Sequence, residues 1–198
     1  MYVQFAFKII FLKNLHNNGQ LFYAQLVTLT SHHPFTLPDE ENTLQLPQTL
    51  DESIVGDYLK VAHYVDKQLK AFFDQLQTDS LLENSVVVLY GDHQGLQENT
   101  LSLDEKDLLN SLIGHEYNFI DQYNVPLLIH AEGENLTGHY DVVGGQIDIL
   151  PTVANLVGLS LDHFIHFGQD LLNSENNLFG MRYYMPYGSF FYNDTVYM

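Results

Sequence analysis

The spacing of apolar side chains changes several times between the two ends of the sequence, and each change marks an element. Phe5, Ile9, Leu12 and Leu15 recur on one helical face before His16-Asn17-Asn18-Gly19 breaks the period, which predicts a short helix and a turn. Leu21 to Leu29 (LFYAQLVTL) is rich in aromatic and β-branched residues and has the length of a strand buried on both faces. It runs into Thr30-Ser31-His32-His33-Pro34-Phe35, where Pro34 halts any ladder. Residues 34–51 hold three prolines and little periodicity, which predicts an exposed loop. From Ser53 to Gln77 the period is helical again: Val55, Tyr58, Leu59, Ala62, Val65, Leu69, Phe72, Phe73 and Leu76 form one stripe, that of a helix packed on a sheet.

Ser85 to Tyr90 (SVVVLY) reads as a central parallel strand that ends abruptly in Gly91-Asp92-His93-Gln94-Gly95. A polar, mobile segment is expected from Gln97 to Asn118, followed by a second buried strand at Val125 to Ile129. Gly144-Gly145-Gln146 leads into a helix carrying Ile147, Leu150, Val153, Leu156 and Val157, with Pro151 in its early turns and Gly158 as its cap. The tail from Arg182 to Met198 pairs Tyr and Phe around Gly188 and Asn193-Asp194, as a β-hairpin does. This order of strands and helices predicts an α/β fold, a three-layer sandwich around a largely parallel sheet.

Composition narrows the function. The 198 residues contain no cysteine, so thiolate nucleophiles, disulfides and cysteine-based zinc sites are excluded. Seven Lys and Arg against 25 Asp and Glu give a net charge of −18, which removes the electrostatic footprint of a nucleic-acid binder. At 45% hydrophobic residues the chain is too apolar for an acidic disordered tail and is expected to fold. The apolar run from Tyr2 to Leu12 is interrupted by Gln4 and Lys8 and is too short to span a bilayer; nor does it have the layout of a secretory signal, an expectation that taken literally would keep the chain in the cytoplasm.

Ten histidines among many carboxylates point toward a divalent metal. Asp92 and His93 stand side by side where the run 85–90 ends, and ligands of open α/β sheets bind beyond the carboxyl ends of strands. One carboxylate with one imidazole suits Mn²⁺ or Zn²⁺ better than Ca²⁺. A solvated turn is the plainer alternative for a lone Gly-Asp-His. His32 or His33, just past another apolar run, could face the same crevice, or both could be exposed imidazoles of a proline turn. His63 reads as a packing residue of the long helix, and His115, His139, His163 and His166 sit in polar stretches whose spacing says little. No Walker loop, GxSxG elbow, HExxH helix or GxGxxG turn is present.

Taken in order, Phe22–Phe35, the helix with Tyr58, Tyr64 and Asp66, Val87–His93, Val125–Ile129, Gly145–Thr152 and His166–Leu171 resemble the second half of the sulfatase-type extracellular domain of lipoteichoic acid synthases and related phosphoglycerol transferases, in the alkaline-phosphatase superfamily. The resemblance implies an alkaline-phosphatase-like core over about residues 1–172 and a small β region over 173–198, together the C-terminal portion of one domain. It implies that Asp92 and His93 bind the catalytic metal, Mn²⁺ with Mg²⁺ or Zn²⁺ as alternatives, and that His32, aligned by the Pro-Phe pair, lies at the phosphoglycerol pocket. The family's threonine nucleophile and remaining metal carboxylate match no position here. The implied activity of an intact enzyme is transfer of glycerol phosphate from phosphatidylglycerol to a growing polymer at the extracellular face of the cell membrane. A sulfatase, phosphatase or phosphodiesterase of the same superfamily, or a noncatalytic interaction module, are the alternatives.

Overall fold

A computed structural model describes residues 6–19, 21–134, 136–193 and 195–198. The chain divides into two compact units, Met1–Glu134 and Asn135–Met198. In the first, α1 (Ala6–Asn17), α2 (Gln48–Asp51), α3 (Ile54–Thr78) and α4 (Leu103–Ile113) accompany the strands β1 (Val86–Tyr90) and β2 (Leu127–Ala131). Ile9 and Leu12 bury the expected face of α1 against Phe72 and Leu76 of α3 and against Leu81 and Leu82. Phe5, assigned to the same face, lies outside the described residues. No helix among the described residues is long and apolar enough to cross a membrane.

The long helix starts where its capping residue stands. The Ser53 hydroxyl accepts from the Gly56 amide at 3.0 Å and donates to the Leu50 carbonyl at 2.7 Å, so the first turn has a partner for an otherwise orphaned donor. Its buried residues include Val61 and Tyr64 beside the expected Val55, Phe72 and Leu76. The N-terminal half packs into a second cluster, Phe35, Val55, Val61, Leu96, Leu101 and Leu109, which joins the loop after His32 to α4. The C-terminal half reaches the sheet through Val87, packed on the first cluster, and through Phe73, whose ring meets His130 edge-on at 5.9 Å.

Five expectations need correction. The ladder is antiparallel: Val86 pairs with Ala131 and Tyr90 with Leu127, and a short apolar run carries no information about the direction of its neighbour. Leu21–Leu29 is extended, but none of the ladders among the described residues includes it, and Leu21, Tyr23, Val27 and Leu29 are exposed while Leu26 packs inward. The segment 97–118 contains α4, a capped helix. The Ser102 hydroxyl accepts from the Glu105 amide at 3.3 Å while the Glu105 carboxylate accepts from the Ser102 amide at 2.9 Å, and Gly114 closes the far end at φ 82°, a conformation that costs glycine little.

The fourth correction lies in the second unit, where α5 (Ile149–Leu156) buries Pro151, Thr152 and Ala154 and exposes Ile147 before it, Leu150, and Val157 after it. Hydrogen bonding sets this orientation. Asp148, with no exposed surface, accepts from the Gly145 amide (2.8 Å), the Gln169 amide (2.7 Å) and Asn177 Nδ2 (2.8 Å). The Thr152 hydroxyl donates to the Asp148 carbonyl at 2.6 Å and accepts from the Leu171 amide at 3.0 Å. The tail forms a three-stranded antiparallel sheet, β3 (Leu178–Gly180), β4 (Phe190–Tyr192) and β5 (Thr195–Tyr197), one strand more than the expected hairpin. Phe179 stacks on Phe191 at 4.9 Å and Phe190 on Tyr197 at 4.7 Å, cross-strand pairs of the kind that hold such short strands together.

Candidate functional site

The loop after β1 is held close to its surroundings, and that closeness explains its leading glycine. The Gly91 amide donates to the Pro126 carbonyl at 3.0 Å, and a Cβ at Gly91 would lie 2.6 Å from Val125 Cβ, so only glycine fits here without displacement. The Gly95 amide donates to the Gln122 carbonyl at 2.8 Å. One residue on, the Leu96 carbonyl accepts the Tyr117 hydroxyl at 2.6 Å. Burial, with the charges of Tyr58, Asp121 and Glu98 adding to it, pushes the Tyr117 phenol far above its ordinary range, so it stays a neutral donor. Gln122, buried, accepts from the Glu98 amide at 3.2 Å. The loop is therefore pinned at both ends.

Between the pins, Asp92 and His93 face solvent, their side chains 70% and 51% exposed. Asp92 Oδ1 lies 3.8 Å from His93 Nε2, and His93 Nδ1 lies 2.7 Å from the Gln94 carbonyl. A carbonyl only accepts, so Nδ1 carries a proton, and Nε2 is left on the Asp92 side. An anchored Nδ1–H with an outward Nε2 is the arrangement that orients metal-binding histidines.

His32 shows the same construction. Its Nδ1 lies 2.7 Å from the His33 carbonyl, which leaves Nε2 outward. The turn that presents it is closed by the His32 amide on the Leu29 carbonyl and the Phe35 amide on the His32 carbonyl, both at 3.2 Å. Phe35 is buried and meets Tyr58 of α3 edge-on at 5.2 Å, which ties the turn to the long helix. His33 packs edge-on against Phe35 at 5.6 Å. The ring of His32 approaches that of His93, 5.6 Å between centroids and nearly perpendicular. Three residues singled out in the sequence, 32, 92 and 93, thus lie together, while His63, His115 and His139 have separate partners in Thr43, Asp121 and Asp141.

The donor set fits a divalent ion as two ligands, one carboxylate oxygen and one imidazole nitrogen directed outward. Among the described residues no group of three or more His, Cys, Asp or Glu is arranged to hold a metal. Tyr117 and Gln122, which pin the loop, carry no local sequence signal, since each acts across more than twenty residues.

A family model described as sulfatase matches residues 3–159, and the chain belongs to that family. Its fold is the alkaline-phosphatase-like α/β fold of such domains, with a small antiparallel sheet at the C-terminus. The crystal structure of the lipoteichoic acid synthase LtaP from Listeria monocytogenes matches with a TM-score of 0.86 and 39% identity, over 95% of this chain and 46% of that one. Lipoteichoic acid synthase 1 of Bacillus subtilis (strain 168) is 35% identical over 166 residues, 82% of this chain and 25% of that protein. The lipoteichoic acid synthase of Staphylococcus aureus (strain USA300) is 31% identical over 156 residues, 79% of this chain and 24% of that protein. The chain thus spans about a quarter of the length of the curated relatives it matches. Members of the superfamily are metal-dependent.

Proposed function

We propose that this chain carries part of the catalytic site of a lipoteichoic-acid-synthase-like phosphoglycerol transferase, with Asp92 and His93 as two metal ligands and His32 as a contact to the phosphoglycerol group. The observation that supports the reading is the convergence of two imidazoles, each with Nδ1 on a backbone carbonyl and Nε2 outward, beside the Asp92 carboxylate. The likeness to enzymes named as lipoteichoic acid synthases supports the choice of substrate, phosphatidylglycerol as donor and a glycerol-phosphate polymer as acceptor. The reaction runs at the extracellular face of the cell membrane, and residues 1–198 act as the C-terminal portion of a single sulfatase-like domain whose other part is the partner this chain requires.

In the intact enzyme a threonine oxygen attacks phosphorus as the bond to diacylglycerol breaks, and a polymer hydroxyl then displaces the threonine. That threonine matches no position in this chain, so the chain alone turns nothing over. A bound Mn²⁺, with Mg²⁺ or Zn²⁺ as alternatives, would lower the hydroxyl pKa and neutralise charge on the phosphoryl group. Asp92 brings formal negative charge and His93 a neutral nitrogen to that position. His32, its Nδ1 proton committed to His33, uses Nε2 to accept from a glycerol hydroxyl when neutral or to donate to a phosphate oxygen when protonated.

The test is calorimetric titration of Mn²⁺ into the chain and into Asp92→Ala at moderate salt, with a fluorescent phosphatidylglycerol assay alongside. Weak binding that Asp92→Ala removes, without diacylglycerol release, is expected. Binding unaffected by Asp92→Ala overturns the metal assignment, and diacylglycerol release by the chain alone overturns the dependence on the other part.

A further inference from the structure

Among the described side chains, lysine pairing singles out one place on this acidic chain. Lys13 pairs with Asp79 (2.7 Å), Lys60 with Asp51 (2.9 Å) and Asp57 (3.3 Å), Lys70 with Asp74, and Lys106 with Glu98 (2.6 Å). Lys67 is different. Among the described residues it has no carboxylate within ion-pair distance, and its Nζ donates to Thr43 Oγ1 at 3.1 Å. With 25 carboxylates available against seven basic residues, a lysine directed to a hydroxyl keeps its charge open to an incoming anion.

A second group addresses the same hydroxyl. His63 Nε2 lies 3.4 Å from Thr43 Oγ1, and His63 and Lys67 stand four residues apart on α3, neighbours on one helix face. Thr43 comes from the loop over that face. An ammonium, an imidazole nitrogen and a rotatable hydroxyl thus meet at one atom, a donor set for the oxygens of a phosphate group, in which lysine supplies the point charge.

We propose that Thr43, His63 and Lys67 form an anion-binding cradle for a phosphodiester group, and that its ligand is the glycerol-phosphate polymer of the transferase reading, on which the choice of ligand rests. Position along α3 favours this ligand. Tyr58, which braces Phe35 and hence the His32 turn, precedes His63 by five residues and Lys67 by nine, about 7.5 and 14 Å along the axis and about 140° and 180° around it, so a ligand that reaches from the His32 turn to the cradle must also pass around the helix. A polymer with one phosphodiester per short repeat offers a charge at such spacing, whereas a single small substrate does not extend so far.

The test uses the full chain with labelled histidine and lysine side chains, followed by NMR during titration with glycerophosphoglycerol, inorganic phosphate and glycerol. Glycerophosphoglycerol is expected to shift the His63 and Lys67 signals in the millimolar range. Lys67→Gln and Thr43→Val are expected to weaken it about tenfold, the loss of one charge-assisted bond, while Lys70→Gln on the same helix changes it less than twofold. Glycerol is expected to shift nothing. Equal losses for Lys67→Gln and Lys70→Gln overturn the cradle, since they report diffuse charge, and so does binding of phosphate without the diester. The Mn²⁺ response of the His93 signal, followed in the same samples, reports on the transferase reading independently. Its loss with diester binding retained would sink that reading and leave the cradle standing.

Discussion

Asp92 and Asp148 are both aspartates that follow glycine-bearing turns, and they are built for opposite purposes. Asp148 has no exposed surface and three donors on its two oxygens. Asp92 is mostly exposed, with His93 Nε2 at 3.8 Å. A buried carboxylate surrounded by amides organises the chain around itself, because every donor it holds would otherwise be stranded. An exposed one on a pinned loop contributes little to folding and remains available for chemistry. The same residue type is structural in the second unit and, on the proposed reading, a metal ligand in the first, and what separates the two is the direction and number of neighbouring donors.

The strongest way to break this contrast is to remove the buried carboxylate. Asp148→Ala leaves the Gly145 and Gln169 amides and Asn177 Nδ2 without their partner, at about 1–3 kcal/mol for each buried group left unsatisfied. A loss of about 3 kcal/mol or more in urea unfolding is expected. Asp148→Asn should be nearly as damaging, because its NH₂ would face an N–H donor whichever way the amide turns. Asp92→Ala should shift the same midpoint by less than about 0.5 kcal/mol, as exposed substitutions do, while removing the Mn²⁺ response. If the two aspartates cost the same stability, the division between them fails.

Tyr117 sharpens the comparison from the side of the loop that carries Asp92. Tyr117→Phe strands the Leu96 carbonyl and should cost about 1 kcal/mol. Hydrogen exchange at Gly95, whose amide bonds Gln122, should accelerate, and Mn²⁺ affinity should fall by less than in Asp92→Ala. Unchanged exchange at Gly95 would show that the loop is held by Gly91 and Gln122 alone.

The sequence carried the first unit's framework because local signals agreed there. The period of α1 and α3 and the run of β1 each had one interpretation as an element, and Gly91-Asp92-His93 stood at a strand end where chemistry is expected. Ladder direction was not legible, since Val86–Tyr90 has the same apolar pattern beside a parallel or an antiparallel partner. The helix α4 was hidden by its weak stripe, in which only Leu109 is buried, although Ser102-Leu103-Asp104-Glu105 spells a capping box. In α5 the apolar residues suggested one buried face, yet the polar hold of Asp148 and Thr152 turned the other inward. The approach of His32 to His93 joins residues sixty-one positions apart, and only the tertiary fold brings them together.

Glu105 tests the smallest effect, a carboxylate between the two extremes. It accepts from the Ser102 amide and hydroxyl, at 2.9 and 2.8 Å, and from the Ile54 amide at 3.0 Å, so it caps α4 and ties it to the start of α3. The Ser102 amide, then its hydroxyl, then the Ile54 amide hold its carboxyl below the usual range. A folded-state value below the unfolded one, about 4.3 for glutamate, means stability that is fully present above that pH and lost as pH falls through the lowered value. Solvent around Glu105 limits the gain to a few tenths of a kcal/mol, up to about 1 kcal/mol. Urea midpoints of the chain and of Glu105→Gln from pH 7 to pH 3 should therefore differ most near neutrality and converge in acid, because the glutamine does not titrate. A gap that stays constant over that range would mean that shape, and not charge, makes the cap, and would place Glu105 with the purely structural groups around Asp148.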